Sequence, residues 1–376
     1  MSTTRPMLSR AISGPALALL LLSACGGDAW EALPAMSAQR WAHTATLLPD
    51  GDLLVIGGYG QQLEALPSVE RWDGDAWTDA APLPQARAEH SATLLADGRV
   101  LVVGGRIGNA RLRTALVYLP NSDQWGELAE MPFGRGGHTA TLLPDGRVFV
   151  FGGSTDFGAP GPLLFDPVAN AWTSPEPDAT TARDAAGVAL LGDGTVLMAG
   201  GLIEVDPNTR RLMATDEAMR FDPVAESWLD GGSMLRAHAW AGVAPTGDGG
   251  AIVAGGTSQA EPVDGDAIAD VEAWTGTGWR VLPSLSEARI HPLALTSRSG
   301  TVLVFGGDQS ATRASDAVDR VDLERGEVVA GAPMPSPRTR HAGVVLDNGD
   351  VIVTGGWDGY YARTEAMLYH PHGRDR

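Results

Sequence analysis

An apolar run closed by a pair of glycines recurs seven times along the chain, at Gly57-Gly58, Gly104-Gly105, Gly152-Gly153, Gly200-Gly201, Gly255-Gly256, Gly306-Gly307 and Gly355-Gly356. The steps between doublets are 47, 48, 48, 55, 51 and 49 residues. A period near 50 predicts one supersecondary unit repeated and stacked on its neighbours. Just before each apolar run stands a turn pair: Asp50-Gly51, Asp97-Gly98, Asp145-Gly146, Asp193-Gly194, Asp248-Gly249, Ser299-Gly300 and Asn348-Gly349. Such pairs predict a two-residue hairpin with positive φ, joining a first strand to a second. After each doublet comes a polar loop, then a third strand, as at residues 161–167 and 217–223. A fourth strand is marked by Trp77, Trp125, Trp172, Trp228 and Trp279.

Two units depart from this pattern. In the sixth, Val328 stands where the spacing calls for tryptophan, which weakens one outer strand. The seventh stops near His370 without a fourth strand. Residues 27–30 read Gly-Asp-Ala-Trp, like residues 74–77, so the stretch 28–34 around Trp30 is expected to supply that strand and close a ring.

With Arg-x-x-His upstream of each doublet in four units, these features make the chain resemble the kelch family over nearly its whole length after the first two dozen residues. The resemblance implies an all-β fold, a seven-bladed kelch-type β-propeller with its last blade closed by the N-terminal strand. Its blades are expected at about 40–82, 87–130, 135–176, 183–232, 236–285, 289–334 and 338–370.

Composition narrows the chemistry. All 27 basic residues are Arg, so Schiff-base, P-loop and general-base lysines are excluded. A net charge of -19 argues against a nucleic-acid partner, because phosphate binding needs a basic surface. The single cysteine, Cys25, leaves no intramolecular disulfide and no Cys-based zinc site.

That cysteine closes an export signal: Arg5 and Arg10, the apolar stretch 11–22, then Leu22-Ser23-Ala24-Cys25. The last four residues resemble a bacterial lipobox. The resemblance implies that residues 1–24 are a lipoprotein signal peptide and that Cys25 is acylated to anchor the domain 25–376 in the cell envelope. With Gly26 and Gly27 rather than Asp beside it, the outer membrane is favoured over the inner one. Several acyl chains hold a protein where one would be marginal.

Candidate ligand groups fall at the repeat positions. Arg40, Arg87, Arg135, Arg183, Arg289 and Arg338 lie seventeen residues before their doublets. In the fifth unit that count lands on His238, two residues past Arg236, so a small insertion is expected there and Arg236 joins the series. A ring of guanidinium groups at one mouth of the channel would draw an anion, above all a carboxylate. The alternative is pairing with neighbouring carbonyls or carboxylates of the blades. His43, His90, His138 and His341 are expected between blades, donating to backbone carbonyls, and not to converge on a metal. Trp357, Tyr360 and Tyr361 form an aromatic loop suited to a sugar ring or a protein contact. The longest loops, 202–217 and 257–270, are recognition candidates; Asp264, Asp266 and Asp270 in the second lack a calcium-loop spacing. Galactose-oxidase-like propellers use copper with a Tyr-Cys crosslink, and no cysteine but Cys25 is present.

No catalytic set, metal or cofactor emerges. The expected function is a monomeric, lipid-anchored, non-catalytic binding module for a protein or glycan partner, which could be anionic. The alternative is a carbohydrate-acting propeller enzyme of the sialate mutarotase or epimerase type, for which Glu89 and Asp184 are the in-phase carboxylates.

Overall fold

The computed structural model describes residues 27–156, 160–175, 182–206, 208–209 and 211–371. The export signal and Cys25 lie outside them. Seven four-stranded antiparallel sheets follow one another, each ordered a to d from the channel outward. Blade 1 consists of Thr44–Leu47, Leu53–Ile56, Val69–Trp72 and Trp77–Ala80. The first strands of blades 2 to 7 are Ser91–Leu94, Gly136–Leu142, Gly187–Leu190, Gly242–Pro245, Leu293–Thr296 and Ala342–Val345. Each of these inner strands touches the next around the circle, and that of blade 7 touches that of blade 1.

The apolar runs are the second strands, and burial explains why they are unbroken. Side chains alternate between the two faces of a strand. In blade 1, Leu53 and Val55 enter the cluster shared with blade 7, while Leu54 and Ile56 enter the cluster shared with blade 2. Both faces are covered, so both sets are apolar. Seven such clusters fill the seven blade interfaces.

Closure is made by the N-terminus. Ala29–Ala32 pairs antiparallel with Ala366–His370, with Trp30 opposite Tyr369. Trp30 is buried, stands 4.8 Å from the Tyr369 ring, and its indole N–H donates to the Ala332 carbonyl of blade 6 at 3.0 Å. The same outer contact recurs: Trp77 donates to Pro34, Trp125 to Ala81, Trp172 to Ala129 and Trp279 to Gly231, each on the preceding blade. Without a tryptophan, blade 6 still forms its outer strand, Glu327–Ala330, and Val328 packs against the cluster of blades 5 and 6.

The a–b turns differ from the expected two-residue hairpin. In blade 1 the Leu48 amide donates to the Asp52 carbonyl and the Gly51 amide to the Leu48 carbonyl, which encloses three residues. Only Gly51 takes a positive φ, 92°. The aspartate instead caps the turn, Asp50 Oδ1 accepting the Asp52 amide at 3.2 Å.

Candidate functional site

The six repeat arginines are not at the mouth. Arg40, Arg87, Arg135, Arg183, Arg289 and Arg338 are each 0% exposed. In five of them a terminal guanidinium nitrogen donates to the carbonyl of the first doublet glycine seventeen residues on: Gly57, Gly104, Gly152, Gly200 and Gly355. Arg289 donates to the Ala317 carbonyl and pairs with Asp319. Fully buried and donating inside the blades, these six guanidiniums do not form the anion-binding ring expected at the mouth. Arg87 has no carboxylate partner among the described residues, and burial pushes its guanidinium down to about 10.

Arg236 is not in the series either. It is exposed and pairs with Asp270 at 2.8 Å. His238 takes the arginine's place: Nδ1 lies 2.8 Å from the Gly255 carbonyl and Nε2 3.3 Å from Glu272. Glu272 occupies the position of Glu70, which pairs with Arg40, and position 238 lies the usual seventeen residues before its doublet, so no insertion precedes that doublet.

The repeat histidines lie between blades; three of them meet a hydroxyl of the preceding blade, and His138 also has the expected backbone partner, at Val103. His43 Nε2 meets Thr354 Oγ1 at 2.9 Å, His90 meets Thr44 Oγ1 at 3.0 Å and His138 meets Ser91 Oγ at 3.0 Å, each on the preceding blade. Neither nitrogen of His341 has a protein partner among the described residues. Burial holds all four rings well below the usual histidine range.

The mouth is built by the two residues that follow each repeat arginine. The second of them takes a left-handed conformation in every blade: Ala42, Glu89, Gly137, Ala185, Trp240, His291 and Arg340, with φ between 49° and 71°. In five of them the amide donates to the matching carbonyl of the preceding blade: Ala42 to Arg340, Glu89 to Ala42, Gly137 to Glu89, Trp240 to Ala185 and His291 to Trp240; the Ala185 amide donates instead to Asp184 Oδ1 at 2.7 Å. The backbone does the structural work here, so the side chain can vary. Around them stand the residues that follow each doublet, bridged to the first of the two: Tyr59 to Trp41, Arg106 to Ala88, Leu202 to Asp184, Asp308 to Ile290 and Trp357 to Thr339.

Blades 5 to 7 make the recessed half. Trp240, Ile290, His291, Asp308, Ser310 and Arg340 border a cavity of about 940 Å³ that extends under the 257–270 loop. His291 Nδ1 is 2.9 Å from Asp308 Oδ2, and the ring lies 5.8 Å from that of Trp240. Burial, reinforced by Arg340, lowers the His291 pKa despite the opposing pull of Asp308. The exposed Arg340 guanidinium sits 5.5 Å over the Trp41 ring and has no carboxylate partner among the described residues. Trp41 also contacts Tyr59 at 4.8 Å and Trp357 at 5.9 Å.

Blades 2 to 4 carry the charged half. Glu89 pairs with Arg106 at 3.0 Å; Arg106 and Arg111 both donate to Ser154 Oγ, and Arg111 pairs with Asp156. Burial raises the carboxyl of Asp184, and Glu89 adds to that rise against the pull of Arg106. The two in-phase carboxylates thus share one side of the mouth.

The aromatic loop divides. Trp357 joins the mouth, whereas Tyr360 and Tyr361 are about two-thirds exposed on the rim, their amides capped by Asp358. Gln61 ties this loop to blade 1. The 202–217 loop forms a hairpin of Leu202–Asp206 and Arg211–Ala214. Asp264, Asp266 and Asp270 turn to separate partners, and no three metal-ligating side chains converge among the described residues.

Trp240, His291 and Arg340 were missed by sequence reasoning, although their signal was present. They fill the variable positions inside the Arg-x-x-His phase, which attracts less notice than the repeated residues around it.

The family described as the KLHDC2/KLHL20/DRC7 Kelch-repeats domain matches residues 27–229, more than half of the chain. The chain belongs to the kelch-repeat propellers. No curated protein matched it in sequence. Among solved structures, this kelch chain resembles a fungal alcohol oxidase of the AA5 family in complex with copper, at 18% identity and TM-score 0.71, covering 91% of this chain and 75% of that one. It also resembles YjhT at 18% identity and TM-score 0.61, covering 80% of this chain and 99% of that one. At such identity the likeness shows the kelch fold alone.

Proposed function

We propose that this kelch propeller is a lipid-anchored binding module of the cell envelope whose mouth holds a carbohydrate. The recessed half of the mouth carries the reading: a cavity of about 940 Å³ joins an indole face at Trp240 to hydrogen-bonding groups at His291, Asp308, Ser310 and Arg340. Aromatic faces stack on the C–H side of a sugar ring while polar neighbours take its hydroxyls. A concave site of this size suits a glycan better than a flat protein surface. Cleavage before Cys25 and its acylation would hold the domain at the membrane, the outer one in a cell that has two, as a monomer.

A glycan array probed with purified residues 26–376 tests the reading. Binding is expected, and Trp240→Ala should weaken it at least tenfold. Absence of binding, or binding indifferent to Trp240, overturns it. Acylation is tested separately: Cys25→Ser should move the protein from the membrane to the soluble fraction.

A second reading, a sialate mutarotase or epimerase type of enzyme, is favoured by the His291–Asp308 contact of 2.9 Å. Exchange of anomer signals by NMR, abolished in His291→Ala, would support it.

A further inference from the structure

We infer that the mouth abstracts the proton on C5 of a 4-linked hexuronate residue and cleaves the glycosidic bond by β-elimination. This goes beyond binding and rests on the carbohydrate reading of the same cavity. The chemistry needs three things in one place: a neutral base, a fixed cation for the carboxylate, and a platform for the ring.

His291 supplies the base. Its Nδ1 is engaged by Asp308 at 2.9 Å, which fixes the tautomer with the proton on Nδ1. Nε2 has no protein partner among the described residues, and the ring borders the cavity. Arg340, in the same cavity, is the cation. Its place over Trp41 holds it without neutralising it, so a ligand carboxylate can take its donors. Trp240, 5.8 Å from the His291 ring, is the platform.

The step balances within the chain and its substrate. The C5–H bond breaks and its proton passes to His291 Nε2. The electron pair left on C5 spreads into the carboxylate, whose growing charge Arg340 stabilises. That pair then forms the C4=C5 double bond as the C4–O4 bond breaks, and O4 leaves with the proton returned from the imidazolium. Nothing is oxidised or reduced.

Purified residues 26–376 are incubated with polygalacturonate, polymannuronate and polyglucuronate, and the ultraviolet absorbance of the unsaturated uronate is followed. At least one polymer is expected to yield it. His291→Ala and Arg340→Ala should each lower the rate about 100-fold or more. His291→Gln replaces the alanine variant if that one fails to fold. Affinity electrophoresis on the same polymers separates the two claims. Binding by the wild-type protein without any unsaturated product overturns the elimination and leaves the binding reading standing, whereas no carbohydrate binding at all removes both. Asp308 is a positioning residue, and Asp308→Asn should shift the acidic, ascending limb of activity to lower pH. An unmoved pH profile overturns that role.

Discussion

The carbonyl of Arg40 accepts the amide of Gly356 at 2.8 Å, across the seam where the last blade meets the first. The same bond runs from Gly58 to Arg87, Gly105 to Arg135, Gly201 to His238, Gly256 to Arg289 and Gly307 to Arg338. At its inner edge the seam is therefore an ordinary blade interface. What distinguishes it is the outer strand, which comes from the other end of the chain.

Losing that strand should be costly. It would uncover Tyr369 and Phe305 and remove the ion pair between Arg320 and Asp28. Trp30→Ala is expected to cost about 3–5 kcal/mol in chemical denaturation, as for other large buried aromatics. Deleting residues 26–36 should lower the melting temperature further, and an unchanged value would contradict closure through this strand.

Two glycines at positive φ should respond very differently to alanine. A Cβ on Gly355 would lie 2.4 Å from the Arg40 carbonyl oxygen and 2.6 Å from His43 Cε1, whereas one on Gly349 meets nothing within 4 Å. Gly349→Ala should cost only the backbone term, about 1–2 kcal/mol. Gly355→Ala should cost several times more or prevent folding. Equal midpoints in urea would show that the seam yields more readily than its geometry implies.

The buried arginines should matter to stability and not to ligand. Arg87→Ala strands the carbonyl of Gly104 in the interior, a loss on the order of 3 kcal/mol. Glycan affinity of the folded fraction should be unchanged; a selective loss of affinity would return this residue to the binding site. His238→Arg should be tolerated, since Glu272 already stands where an arginine's carboxylate would be.

Acid should destabilise the ring early. The pKa values of His138 and His341 are lowered by burial to about 3, while an unfolded histidine titrates near 6.5. Below that value the unfolded chain takes up protons that the folded rings refuse. Stability is thus fully present above about pH 6.5 and falls as the pH drops toward 3, by about 1.4 kcal/mol per unit for each ring. Replacing His138 by Gln should flatten the slope between pH 6 and 5 by one histidine's share. Identical slopes for the two proteins would sink the assignment.

The doublets, the outer tryptophans and the Gly-Asp-Ala-Trp echo made the ring and its closure legible in sequence, because each serves a contact that every blade must make. The same repetition hides the site. Arg40 and its equivalents recur because all blades need a donor for the doublet carbonyl, and a donor so occupied cannot meet a ligand. Trp240, His291 and Arg340 show no repetition, since their shared property is a left-handed backbone that residue type does not reveal. His238 was misread for the converse reason: its role is conveyed by its hydrogen-bond partners, Gly255 and Glu272, and not by its identity.

The left-handed ring at the mouth separates architecture from chemistry. Because the amides of Ala42, Glu89, Gly137, Trp240 and His291 carry the blade-to-blade contact, the side chain at each of these positions is a socket that can be refitted without touching the frame. Five such sockets, exchangeable one at a time, make the mouth a surface on which new ligand preferences can be assembled by single substitutions.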